Sequence, residues 1–135
     1  MQNFDCAHNA PFTIQELEHA LSLAKDTTPG QDGVAYKMLR NIPDQAKMYL
    51  LSIYNQLYNE SYFPPSWGKA VIIPIPKSGK NLNSLKSYRP LALTSCVCKL
   101  MERLFNSRLM EYLIMHKILT PVQSGGQKGR STVEC

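Results

Sequence analysis

The chain has 135 residues, 44% hydrophobic and 19% charged, with a net charge of +5. This composition fits one domain or a piece of one, long enough for a real core, with no low-complexity stretch and no internal repeat. The longest apolar run, "AVIIPIP" (70–76), is too short and too interrupted by proline to cross a bilayer, and nothing at the start reads as a secretory signal. An intracellular protein is expected, cytoplasmic or nuclear, with no membrane partner.

The charge is unevenly placed. Residues 1–66 carry 4 Lys and Arg against 7 Asp and Glu, and residues 67–135 carry 11 against 3. A basic half joined to an acidic half points to a polyanion partner on one side, or else to a solvated basic surface. The four cysteines lack metal-knuckle spacing, and Cys96 and Cys98 sit two apart at the start of a helical pattern. They read as buried or incidental thiols of a reducing compartment, with no metal site.

Residues 1–10 read as a linker. "TIQE", from Thr13 to Glu16, is a capping box, and it predicts a helix to about Lys25 with Ile14, Leu17, Ala20, Leu21 and Ala24 on one face. "TTPGQDG" breaks the chain with Pro29, Gly30 and Gly33, and a short helix follows near Val34 to Asn41. Pro43 reads as a first-turn residue of a longer helix whose buried stripe is Ala46, Leu50, Ile53, Tyr54 and Leu57.

From Lys69 the period changes. "KAVIIPIPK" is β-rich, and Pro74 and Pro76, two residues apart, turn their missing donors toward the same edge. The strand therefore pairs along its other edge, with Leu91 to Thr94 as partner, across the polar loop "SGKNLNSLKS" and its Lys80 and Lys86. Pro90 holds Arg89 extended. Ser95 caps a helix to about His116, with Val97, Leu100, Met101, Leu104 and Phe105 inward. After the glycine-rich basic stretch "GGQKGRSTVEC", Ser131 and Glu134 form a second capping box, and the sequence ends within one turn of it. A single turn has almost no stability alone, so a longer polypeptide is expected to continue there.

Antiparallel pairing brings Lys77, at the end of one strand, and Arg89, at the start of the other, to the same end of a hairpin. Two cations on a β scaffold flanked by flexible lysines make a triphosphate clamp. The alternative is that both are solvated strand ends or pair with acids of the first half.

Taken in order, "PFTIQELEHAL", "TTPGQDGVAYKML", "YFPPSWGKAVIIPIPKSGK", "SYRPLALTSCVCKLMERLFNSRL" and "QSGGQKGRSTVE" resemble the amino-terminal part of the reverse transcriptase domain of non-LTR (LINE-type, jockey-like) retrotransposons, over about Pro11 to Glu134. The resemblance implies an α+β, incomplete right-hand polymerase fold: a helical N-terminal part, a fingers β-hairpin and the following helix, without the palm's catalytic strands. Residues 11–135 would be the fingers portion, truncated before the palm. It implies that Lys77 and Arg89 hold the phosphates of the incoming nucleotide. It places Gly30 and Asp32 near the template, and Lys80, Lys86, Lys128 and Arg130 among the contacts to nucleic acid. The implied partners are an RNA template, a DNA primer and a dNTP.

Polymerases of this kind use magnesium held by aspartates in a two-metal mechanism. No aspartate follows Asp44 here, so the chain is expected to be inactive alone, with Mg²⁺ belonging to the full-length enzyme. Gly126 also departs from the family's usual "QSGF", where a phenylalanine would anchor the loop. Two further readings stand beside a truncated polymerase: a non-catalytic nucleic-acid-binding module, and a protein-interaction fragment whose uncovered apolar helices seek the palm and thumb remainder or a second copy.

Overall fold

The computed structural model describes residues 9–119. Most of the linker, the "QSGGQKGRS" loop with Gly126, Lys128 and Arg130, and the second capping box lie outside them. The element order is α1 (Ile14–Leu23), α2 (Tyr36–Asn41), α3 (Asp44–Asn59), a 3₁₀ turn (Pro65–Gly68), β1 (Val71–Pro76), a second 3₁₀ turn (Leu85–Ser87), β2 (Tyr88–Leu93) and α4 (Cys96–Met115). This is an α+β arrangement. The chain divides into two compact units, of which Pro11–Leu104 is the larger, and α4 crosses the division.

Local chemistry starts α1 where the capping box predicts. The Thr13 hydroxyl accepts from Glu16 N–H at 3.3 Å, and the Glu16 carboxylate accepts from Thr13 N–H at 2.7 Å. Leu17, Ala20 and Leu21 are buried. The helix ends at Leu23, two residues before the expected limit, because Arg40 of α2 takes over its exit. The Arg40 guanidinium donates to the Ala24 carbonyl at 2.9 Å and pairs with Asp26.

Pro43 is the N-cap of α3, one position ahead of its predicted place, and its φ of −57° already suits the helix start. The buried residues of α3 are Leu51 and Tyr54, while Ile53 is 50% exposed. The buried stripe is thus rotated from the expected one: Leu50, Leu51, Tyr54 and Tyr58 face the core. Two polar contacts fix that rotation. Tyr54 donates its hydroxyl to the Val97 carbonyl at 2.7 Å. Asn55 accepts from Phe12 N–H at 2.6 Å and donates to the Phe12 carbonyl at 3.0 Å.

The core joins Phe12, Leu17, Leu21, Tyr36, Leu39, Leu51 and Tyr54 to Cys96, Leu100 and Leu104 of α4. Burying each leucine contributes about 1.5–3 kcal/mol. Ser95 caps α4 as expected, its Oγ accepting from Val97 N–H at 3.1 Å and from Cys98 N–H at 3.3 Å. Phe105, expected inward, is 49% exposed, because the core cluster on α4 ends one residue earlier, at Leu104. Cys96 and Cys98 are both buried.

β1 and β2 form a two-stranded antiparallel ribbon with Val71 opposite Leu93, Pro74 opposite Pro90 and Pro76 opposite Tyr88. β2 begins at Tyr88, ahead of the expected Leu91. Lys77 N–H donates to the Ser87 carbonyl at 2.7 Å, which sets the alternation of the ladder. Pairs such as Ile75 with Arg89 exchange hydrogen bonds, and the pairs containing proline do not. The missing donors of Pro74 and Pro76 therefore face one free edge, as predicted, and that of Pro90 faces the other. Both edges are blunted. β1 is exposed along its whole length, and in β2 only Leu93 is buried.

Candidate functional site

The pleat puts Val71, Ile73, Ile75 and Lys77 on one face of the ribbon with Ser87, Arg89, Leu91 and Leu93. Lys77 stands across from Ser87, and Arg89 across from Ile75. The two cations are therefore diagonal neighbours on one face, at positions roughly 7–8 Å apart in such ladders and within reach of long side chains. The sequence-derived juxtaposition is present.

Their surroundings differ. Arg89 is exposed, and its guanidinium has no hydrogen-bond or ion-pair partner among the described residues. Lys77 is half-buried, and its ammonium donates to the Lys86 carbonyl at 2.8 Å. Neither is paired with a carboxylate of the first half, where Asp26 pairs with Arg40, and Glu18 and Asp44 with Lys47. From residue 61 to 101 the sequence holds six Lys and Arg and no Asp or Glu, so the ribbon carries no acid of its own.

The loop between the strands is closely bonded. Asn81 accepts from Asn83 N–H at 3.0 Å, Ser87 N–H donates to the Ser84 carbonyl at 2.9 Å, and the Tyr88 hydroxyl donates to the Leu82 carbonyl at 3.0 Å. Gly79 takes a φ of +71°, the left-handed turn conformation suited to glycine. Lys80 and Lys86 are both exposed on this loop.

The "PGQDG" loop lies at the root of the ribbon. Gly33 N–H donates to the Gly30 carbonyl at 3.1 Å, the Asp32 carboxylate accepts from Val34 N–H at 3.1 Å, and Gly33 has a φ of +69°. A Cβ on Gly30 would meet Ser95 N and Thr94 C at 2.7 Å, where β2 becomes α4. Gly30 thus serves close packing, and Asp32 is an exposed turn former.

Gln31, Asp32, Ser66, Trp67, Lys69 and Ser95 line a cleft of about 340 Å³ beside this loop. Reading the sequence did not single out Trp67, Lys69 or Gln31. The signal was "SWGK", an aromatic and a cation at the mouth of a strand. Trp67 is held by edge contacts with Tyr54 at 6.3 Å and Phe63 at 5.9 Å between centroids.

Among the described residues no three His, Cys, Asp or Glu side chains come together to hold a metal ion, so the donor set for magnesium is not found there. No helix among the described residues is long and apolar enough to cross a membrane.

No family model matches the chain. Relatives do. Over 125 residues, 92% of the chain, it is 39% identical to the probable RNA-directed DNA polymerase from transposon BS of Drosophila melanogaster. It is 34% identical over 123 residues to the RNA-directed DNA polymerase from mobile element jockey of the same fly. It is 32% identical over 125 residues to the probable RNA-directed DNA polymerase from transposon X-element. The chain spans only 14%, 13% and 14% of the length of these curated relatives. At 32–39% identity over about nine-tenths of its residues, the chain belongs with the RNA-directed DNA polymerases of non-LTR retrotransposons, as the counterpart of one short segment of those much longer proteins.

Proposed function

We propose that this segment is the fingers portion of a retrotransposon RNA-directed DNA polymerase, and that its ribbon receives the triphosphate of an incoming nucleotide. The observation that carries the reading is the pair Lys77 and Arg89 on one ribbon face, with Arg89 unneutralised by any described residue. A guanidinium offers a planar fork of donors for phosphate oxygens, and an ammonium a compact point charge beside it. Their role is electrostatic: they would bind and orient a polyphosphate whose charge grows at the leaving group.

Around that clamp, Lys80 and Lys86 would meet the nucleic-acid backbone, as would Lys128 and Arg130 in the "QSGGQKGRS" stretch. The Gly30–Asp32 loop would border the template. In the full-length enzyme magnesium would supply the two-metal chemistry of nucleotide transfer. Residues 11–135 would form one fingers unit, and with no aspartate among them after Asp44 these residues would be inactive as a polymerase by themselves.

The test is triphosphate binding by the chain, read by fluorescence or calorimetry with a dNTP. Arg89→Ala and Lys77→Ala should each weaken binding about tenfold. Affinity for single-stranded RNA should fall with salt at a log–log slope of roughly −0.7 per phosphate contact. Triphosphate affinity unchanged in both variants would leave only the family likeness.

A further inference from the structure

We propose that the tip of the ribbon is a strand-opening wedge, with Leu85 entering between stacked bases while Lys80 and Lys86 sit on the flanking phosphates. This rests on the nucleic-acid role proposed for the ribbon and adds a residue and an activity to it.

Leu85 is 94% exposed, more than any other large hydrophobic among the described residues, and Leu82 beside it is 57% exposed. A leucine so bare on a floppy loop would mean little. Here the loop is built to present it. Its base is closed by Lys77 N–H to the Ser87 carbonyl at 2.7 Å and by the Lys77 ammonium to the Lys86 carbonyl at 2.8 Å. Its middle is held by the Tyr88 hydroxyl on the Leu82 carbonyl at 3.0 Å. Leu85 starts the short 3₁₀ turn whose last residue, Ser87, is buried. The turn is anchored on one side and Leu85 projects on the other.

Charge decides the occupant. The tip leucines lie between Lys80 and Lys86, with Lys77 and Arg89 behind them, and no acid occurs from residue 61 to 101. Strand addition is disfavoured because Pro74, Pro76 and Pro90 remove donors from both edges. The exposed Ile72, Ile73, Ile75 and Leu91 lie along the strands, and the two leucines of the tip are by themselves too little apolar surface to seat a protein helix, but a single aliphatic wedge suffices to unstack a base step when cations hold the adjoining phosphates. The chemistry fits a junction where paired nucleic acid meets a single strand.

The experiment uses the 135-residue chain and an RNA hairpin with a single-stranded arm, carrying 2-aminopurine at the junction. Binding should raise the fluorescence severalfold as that base unstacks. Leu85→Ala should reduce the rise at least fivefold with affinity changed less than twofold, and Leu85→Trp should retain it. Lys80→Ala/Lys86→Ala should weaken binding and flatten the salt slope by about 1.4, at 0.7 per contact. An equal rise in Leu85→Ala overturns the wedge, and so does a Leu85-dependent capture by phosphatidylserine vesicles with junction fluorescence unchanged. If the parent chain fails to bind the junction at all, the nucleic-acid role of the ribbon falls with it. Binding without unstacking removes the wedge alone.

Discussion

The Lys77 ammonium donates to the Lys86 carbonyl while Lys77 N–H donates to Ser87, so one residue closes the hairpin loop twice. Arg89, its diagonal neighbour, closes nothing. The two cations should therefore separate on substitution. Lys77→Ala is expected to cost about 0.5–1.5 kcal/mol, one net hydrogen bond, and to speed amide exchange through residues 84–87. Arg89→Ala should stay within about 0.5 kcal/mol of the parent in urea denaturation. Equal losses would show that the loop does not depend on the Lys77 side chain.

Pro74 opposite Pro90 makes a second prediction. Pro74→Val/Pro90→Val restores a donor to each edge of a ribbon whose faces already expose Ile72, Ile73, Ile75 and Leu91. Edge pairing between copies should follow, seen as concentration-dependent sedimentation beyond that of the parent. A double variant that sediments as the parent does would mean the edges are guarded by something other than proline.

Gly30 and Gly33 are glycines for different reasons, and substitution can tell them apart. Gly33 needs its positive φ with nothing within 4 Å of a Cβ, so Gly33→Asn should be milder than Gly33→Ala. Gly30 lacks room against Thr94 and Ser95, so Gly30→Asn should be at least as damaging as Gly30→Ala, which is expected to cost roughly 1–3 kcal/mol. Thermal denaturation of the four variants decides it, and a tolerated Gly30→Asn would show that the contact yields.

Stability should fall on the alkaline side. Burial, with the Glu102 carboxylate next in effect, pushes the Cys98 thiol up from 9.0 to about 11. Burial likewise raises the Tyr36 and Tyr54 phenols above 10.0. A group raised in the folded state binds its proton more tightly there. Its contribution is complete below the unfolded value and lost as pH climbs through the folded one. Urea midpoints should hold up to about pH 8.5 and decline between 9 and 11. A flat profile across that window would contradict the burial of these groups.

The features of the fold that were legible are those set by short-range chemistry. Thr13 with Glu16 and Ser95 with its helix announce their caps within a few residues, and Pro74 with Pro76 names the blunted edge of β1. The positions that misled depend on distant partners. Ile53 and Leu51 suit a helical stripe almost equally until Tyr54 finds the Val97 carbonyl and Asn55 finds Phe12. The end of α1 is decided by Arg40. In the candidate site, strand register follows from pattern, so Lys77 and Arg89 could be matched in advance. The Lys86 and Leu82 carbonyls could not, because backbone acceptors carry no sequence signature. Pro90 also has a second role beyond constraining Arg89, since it silences the far edge of the ribbon as well.

The contact of Gly30 with the Thr94–Ser95 peptide has a mechanical consequence. A ribbon exposed along most of its length would swing freely if nothing gripped its base. The grip comes from the connection between α1 and α2, seated backbone against backbone at the fulcrum. In the wedge role proposed for the tip, force on the distal leucines would be delivered to that seat as leverage.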